Sequence, residues 1–296
     1  MSAVPVDPDQ TVSLRRRRGG LAAGYRRPLA LIGAAVVVAW VLIAALAPYL
    51  APQSPLSVSP DLLQPPSAQH LFGTDDLGRD VLSRVVYGSR ISLPLAVLLV
   101  GLSMAIGAAI GAVAGYFGSW VDTVVMRTVD LVFAFPAIIL AMVVAAVLGP
   151  NLHNAVLALV VVSWPSYARV VRGLVMSAAK SEYIKTARLL GAPAWKALIR
   201  DIRPNVVGPV VVLATLDVGH AVLLLAGLSF LGLGAQLPTA EWGSMIAGST
   251  QHFESWWLGT FPGLAIFSLV LGFNFLGDSL RDVLDRRSVW GSGERL

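Results

Sequence analysis

Long uncharged stretches alternate with short charged ones along this chain. A helix that crosses a bilayer needs about 20 mostly apolar residues. No charge falls between Arg27 and Asp61, and the apolar part of that stretch, residues 28–47, predicts a first crossing helix. The window between Arg90 and Asp122 predicts a second over residues 91–114. Between Asp130 and Arg169 lie 38 residues, too many for one crossing, and Gly149-Pro150-Asn151 interrupts them with a strong turn signal. That stretch divides into helices over 131–148 and 152–166, joined by a tight hairpin. Residues 206–225 and 256–277 supply the fifth and sixth. The predicted architecture is all-α, a polytopic membrane protein with six transmembrane helices. Its membrane domain covers 28–285, with tails at 1–27 and 286–296. Arg15 to Arg18 ahead of an apolar run have the look of an export signal. The run is about 20 residues long, however, where the apolar region of a signal has about 7–15, so it is read as the first crossing helix.

Composition agrees. The chain is 56% hydrophobic and 13% charged, with a mean hydropathy of +0.72, against about half and about a quarter in soluble domains. This excludes an ordinary soluble enzyme, a disordered chain and a coiled coil. The absence of Cys excludes disulfides, thiolate metal sites and a Cys nucleophile. Orientation follows from the excess of Lys and Arg in cytoplasmic loops. With a cytoplasmic N-terminus, 19 of the 22 basic residues lie inside, and only Arg79, Arg84 and Arg90 lie outside. Both termini are therefore expected in the cytoplasm of a cell whose cytoplasmic membrane holds the chain. The net charge of +5 is topological bias, and nucleic acid drops out as a partner. Trp256 and Trp257 then fall at the outer interface. Gly107, Gly111 and Gly115 recur every four residues and predict a close-packing face for a neighbouring helix.

One connection is too long for a hairpin. About 38 residues, 167–204, separate the fourth and fifth predicted spans, and loops beyond about 12–15 residues are usually functional. Tyr183, Ala187 and Leu190 stand at helical spacing, and Gly191 follows where a helix ends. Pro193 suits the first turn of a second helix. There Trp195, Leu198, Ile199 and Ile202 form an apolar stripe beside a basic one of Lys196, Arg200 and Arg203, and Pro204 closes the segment. A basic amphipathic helix lying on anionic lipid is one reading. A bent pair of short helices suits the groove of another protein better than a lipid surface.

The run EYIKTARLLGAPAWKALIRDIRPN, residues 182–205, resembles the cytoplasmic loop of ABC-importer permeases that docks as a coupling helix into an ATPase. The resemblance rests on Glu182, Tyr183, Ala187, Arg188, Gly191, Ala192, Ile202, Pro204 and Asn205, with Trp195 inside the same run. It departs at Lys185-Thr186, where relatives often have Glu-Ala, and at Arg203, often Leu. Four further runs, 71–93, 115–130, 228–246 and 261–285, resemble the C-type permease subunit of dipeptide and oligopeptide importers. Many oligopeptide-type relatives carry an acidic residue where Leu225 stands, which places this chain nearer the dipeptide type. The resemblance implies the type I importer permease fold. It also implies a second, related permease subunit, two ATPases that bind ATP and Mg, and an extracytoplasmic substrate-binding protein. Nickel, haem and glutathione importers share the subgroup.

No catalytic constellation emerges. None of the three lysines follows a Gly as in a phosphate loop, so no nucleotide or other cofactor is expected on this chain. Ser177-Ala-Ala-Lys180 lacks the companion motifs of Ser-Lys acyl enzymes. Ser229 after Gly227-Leu228 is reminiscent of an intramembrane serine protease, yet His220 lies nine residues earlier on the same span, too far to serve as its base. His70, His153 and His252 form no metal pair, and Asp75, Asp76 and Asp80 do not follow a calcium loop. A self-sufficient channel or ion-driven carrier would show more intramembrane ionisable groups. Here Asp217 is the one acid inside a predicted span. It either lines a translocation path, together with His220 and Ser229, or braces two helices. The outer segment, with Gly73, Thr74, Asp75, Gly78, Arg79 and Asp80, predicts a short helix at the outer mouth, with Asp80 and Arg84 at pairing distance. Those six residues are candidates for receiving the binding protein or gating the mouth, or are simply a capped surface helix.

Overall fold

The computed structural model describes residues 19–181 and 193–290, with side chains from residue 28 to residue 284 of these except that of Ala194. Glu182, Tyr183, Ala187, Arg188, Gly191 and Ala192 lie outside the described residues. The architecture is all-α. Among the described residues, the strand-like pairing is confined to one isolated bridge between Thr74 and Asp80. Ten helices are used below: α1 Gly19–Ala45, α2 Ala47–Leu50, α3 Val81–Phe117, α4 Ser119–Phe133, α5 Ala137–Leu148, α6 Leu152–Ala179, α7 Ala194–Lys196, α8 Arg203–Phe230, α9 Trp242–Ser249 and α10 Trp257–Trp290. A π-helical turn, Ala197–Ile202, joins α7 to α8.

Five helices are long and apolar enough to cross a membrane, and α4 with α5 makes a sixth crossing if the pair is taken as one span. The third span is not the straight helix expected over 131–148. It bends by 90° between α4 and α5, because Pro136 cannot continue a helix and biases the residue before it toward extended backbone. The second span begins at Val81, not near 91, since the short outer helix expected there is the first turns of α3 itself. The fourth span runs on to Ala179 through Pro165. Pro204, expected to close its segment, instead stands where the π-helical turn passes into α8, and the helical run continues through it.

Glycine sets how closely the spans approach. A Cβ on Gly107 would lie 2.3 Å from the Trp164 carbonyl oxygen, and one on Gly111 2.3 Å from that of Ala168. One on Gly115 would lie 2.7 Å from that of Arg172. The predicted glycine face is therefore the seam between α3 and α6, and the matching order of contacts makes the two helices parallel. Helices α1 and α10 run antiparallel, with Gly33 against Phe275 and Trp40 Nε1 donating to Ser268 Oγ at 3.0 Å. Helices α8 and α10 are also antiparallel, Gly219 meeting Val270 and Gly277 meeting Leu216. The start of α1 and the ends of α6 and α10 thus share one end of the bundle. Residues 51–80 and α9 cap the other.

Candidate functional site

Asp217 and His220 stand one turn apart on α8 and line one cavity of about 150 Å³ among the spans. Its other polar walls are Ser103 of α3 and Ser163, Ser166 and Tyr167 of α6. Val132, Phe133, Phe135 and Ala137, on either side of the α4–α5 bend, line its remaining side. The glycine seam explains the placement. Gly107 lets α6 come so near that an added Cβ would lie 2.6 Å from Tyr167 Cβ. Ser103, one turn before Gly107, then looks into the same space. Tyr167 and Ser103 are both fully buried, yet neither hydroxyl has a hydrogen-bond partner. Tyr167 is near enough to Asp217 to interact with it electrostatically without closing a hydrogen bond of normal geometry. Asp217 has no Lys or Arg partner among the described residues. The sequence reading missed Ser103 and Tyr167, because a hydroxyl on an apolar helix is legible as functional only when its neighbours are known.

Ser229 does not belong to this cavity. It is buried at the capped end, where its Oγ accepts from Ala235 N at 3.2 Å. Nearby, Glu241 caps α9 by accepting from Ser244 N at 3.0 Å and from Ser92 Oγ at 3.3 Å. Burial pushes the Glu241 carboxyl above the ordinary glutamate range, against the opposing pull of the Gly243 and Ser244 N–H groups. Because the folded protein prefers this group protonated, its contribution to stability is complete below the ordinary glutamate range. That contribution is lost as pH rises through the raised value. Glu241→Gln, which keeps an acceptor for Ser244 N, is expected to melt at or above wild type at neutral pH. The advantage should vanish in acid, as a melting series of purified protein would show; a pH-independent difference would contradict it.

The capped end is a bracket of satisfied polar groups. Gly73 and Gly78 have φ of +76° and +70°, a left-handed region that favours glycine. Thr74 Oγ1 donates to the Asp61 carbonyl at 2.6 Å and accepts from Gln64 N at 2.9 Å. Asp75 holds Arg79 Nε at 2.7 Å and Arg84 Nε at 3.4 Å. Asp80 caps α3 through Ser83 and pairs with His70 Nδ1 at 3.1 Å. The anticipated Asp80–Arg84 pairing is therefore replaced by Asp75–Arg84. Trp257 is buried with its indole donating to the Thr74 carbonyl at 3.1 Å, while Trp256 is exposed. Only Trp256 has the exposure expected of an interfacial belt. Asp75, Asp76, Arg79 and Arg84 also edge a second cavity, of about 390 Å³.

At the opposite end, Trp195, Pro204 and Asn205 are exposed, whereas Ala197 and Ile202 of the π-helical turn are buried. The expected apolar stripe is thus split, Ile202 packing inward and Trp195 and Ile199 facing outward. Arg172 engages Asp122 through two nitrogens, and Arg169 pairs with Asp130 at 2.8 Å over the Phe133 ring, tying α4 to α6. The seam between α3 and α6, the bent third span and the continuous entry into α8 make one membrane scaffold.

Residues 107–289 match the family model described as the binding-protein-dependent transport system inner membrane component. The chain belongs to this family. Residues 25–66 of the permease match a second model, the N-terminal transmembrane domain of oligopeptide transport permease C. The permease is 41% identical over 283 residues to the dipeptide transport system permease protein DppC of Alkalihalophilus pseudofirmus, covering 95% of this chain and 93% of that protein. It is 46% identical over 264 residues to DppC of Escherichia coli K12, covering 86% and 88%. To the probable D,D-dipeptide transport system permease protein DdpC of the same organism it is 40% identical, covering 88% of each. The permease is a multi-pass membrane protein and a transport component.

Proposed function

We propose that this permease is a transmembrane subunit of an ATP-driven importer of di- or oligopeptides. What carries the reading is that relatives named for dipeptide transport match nearly its whole length. The chain forms half of a translocation pathway in the cytoplasmic membrane, and a related permease subunit forms the other half. Two ATPases dock at the cytoplasmic end, which also holds both termini. ATP and Mg are bound there by the ATPases, and this chain performs no catalysis. An extracytoplasmic binding protein delivers substrate to the end capped by residues 51–80.

The continuity of the helix from Ala194 to Phe230 supports a lever. An ATPase that grips the exposed Trp195, with Glu182, Tyr183, Ala187, Arg188, Gly191, Ala192, Pro204 and Asn205 as its further docking residues, pushes directly on α8. Asp217 lies 14 residues into that helix, about 21 Å along its axis at about 1.5 Å per residue. Closure of the ATPase pair on ATP then shifts the spans between two states, since only an effector that prefers one state moves such an equilibrium. Trp195→Asp, an exposed change that leaves packing alone, is expected to cut uptake of a labelled dipeptide roughly tenfold or more, as losing a buried interface anchor does. Membrane insertion should be normal. Undiminished uptake by a well-inserted variant would overturn the docking role.

A further inference from the structure

The 150 Å³ cavity brings together three oxygen-bearing residues. Two are hydroxyls, those of Ser103 and Tyr167, each fully buried and without a hydrogen-bond partner, on residues that line this space. The third is the Asp217 carboxylate, which has Tyr167 and His220 as electrostatic neighbours and no Lys or Arg partner among the described residues. Buried polar groups in native proteins almost always find a partner, so two orphans in one cavity point to something that enters it. At about 30 Å³ per water, the space holds about five waters, or one small polar group with a few. No Lys or Arg lines it, so an anion is disfavoured, and the Phe133 and Phe135 rings tolerate a cation.

We propose that Ser103, Tyr167 and Asp217 form a subsite for a primary ammonium group, the amino terminus of a passing peptide. An –NH₃⁺ group has three donors and no acceptor, matching three oxygens that accept, one of them charged. Waters alone fill the volume but bring no positive charge to the carboxylate beyond what its neighbour His220 supplies. The proposal rests on the importer reading, which makes a peptide the cargo. It goes beyond that reading by naming the end of the peptide that is held and the hydroxyls that hold it.

The test is labelling of Asp217 by dicyclohexylcarbodiimide, which modifies carboxyl groups in apolar surroundings. The full permease is used, purified with the subunits that accompany it and without binding protein, and labelling is read by mass spectrometry. Dialanine should protect Asp217 and N-acetyl-dialanine should not. Tyr167→Phe and Ser103→Ala should each raise the half-protecting dialanine concentration roughly fivefold or more, as losing a hydrogen bond to a charged group does. An unlabelled Asp217, equal protection by the acetylated peptide, or unshifted protection in both variants would each overturn the subsite. Protection by Nα-acetyl-lysine with none by dialanine would overturn the assignment to the peptide terminus. Dipeptide uptake by cells lacking the gene separates the two readings. If uptake is lost on deletion while protection fails, the importer stands and the subsite falls. If uptake survives deletion, the importer reading itself fails.

Discussion

Trp242→Ala should be the most damaging single truncation at the capped end, lowering stability by roughly 3–5 kcal/mol, the range for removing a buried large aromatic. Trp242 is fully buried. Its indole donates to the Val85 carbonyl at 2.9 Å, and its ring meets that of Trp40 edge to face at 5.0 Å. It also fills the space left by Gly88, where a Cβ would come within 2.7 Å of the ring. One side chain therefore ties α9 to α3 and α1. Trp242→Phe retains most of the ring and loses the hydrogen bond, so it should cost markedly less. Melting of detergent-purified protein measures both. Equal melting temperatures for wild type and the Ala variant would show that α9 is held by other contacts.

Gly111→Leu is expected to abolish accumulation of folded protein. The obstacle is backbone: beyond the carbonyl oxygen at 2.3 Å, the Ala168 Cα would lie 2.9 Å from the new Cβ. Backbone cannot rotate away as a side chain does, so α3 and α6 would have to separate along their seam. Ordinary overpacking costs about 1–3 kcal/mol, and prising apart a whole helix pair costs more. Gly101→Leu on the same helix is the internal control, because a Cβ at that position would meet nothing within 4 Å. There the better helix propensity of Leu should leave the protein as stable or slightly more so. Size-exclusion profiles of the two variants, expressed side by side, decide it. Matching profiles would dismiss the seam as the determinant.

Those two expectations also show what could be read in the sequence and what could not. The Gly107–Gly111–Gly115 repeat was legible because spacing along one helix fixes a face. Its partner, α6, was not, because pairing between spans depends on the whole bundle. The count of six crossings follows from apolar length, yet the 90° bend at Pro136 does not, since hydropathy is blind to direction. Asp217 stood out by its charge, while Ser103 and Tyr167 did not, being hydroxyls among many. Charged pairs misled in a simple way. Helical spacing suggested Asp80 with Arg84, but the capping of α3 by Asp80 and the turn at Gly78 hand Arg84 to Asp75. The elbow around Gly191 lies outside the described residues, and its role rests on resemblance and on the exposure of Trp195.

Helix α3 has 37 residues, about 55 Å of rod at about 1.5 Å per residue, where the hydrocarbon layer is about 30 Å thick. Near its first turns it is clamped by Asp75, Asp80 and Trp242, and toward its other end it is fused along glycines to α6. Between those attachments the rod carries Pro94, whose missing N–H leaves a carbonyl of the preceding turn unbonded and marks where the helix can bend. A load on the polar lid therefore reaches the α3–α6 pair through one helix, with that proline as the joint between the two attachments.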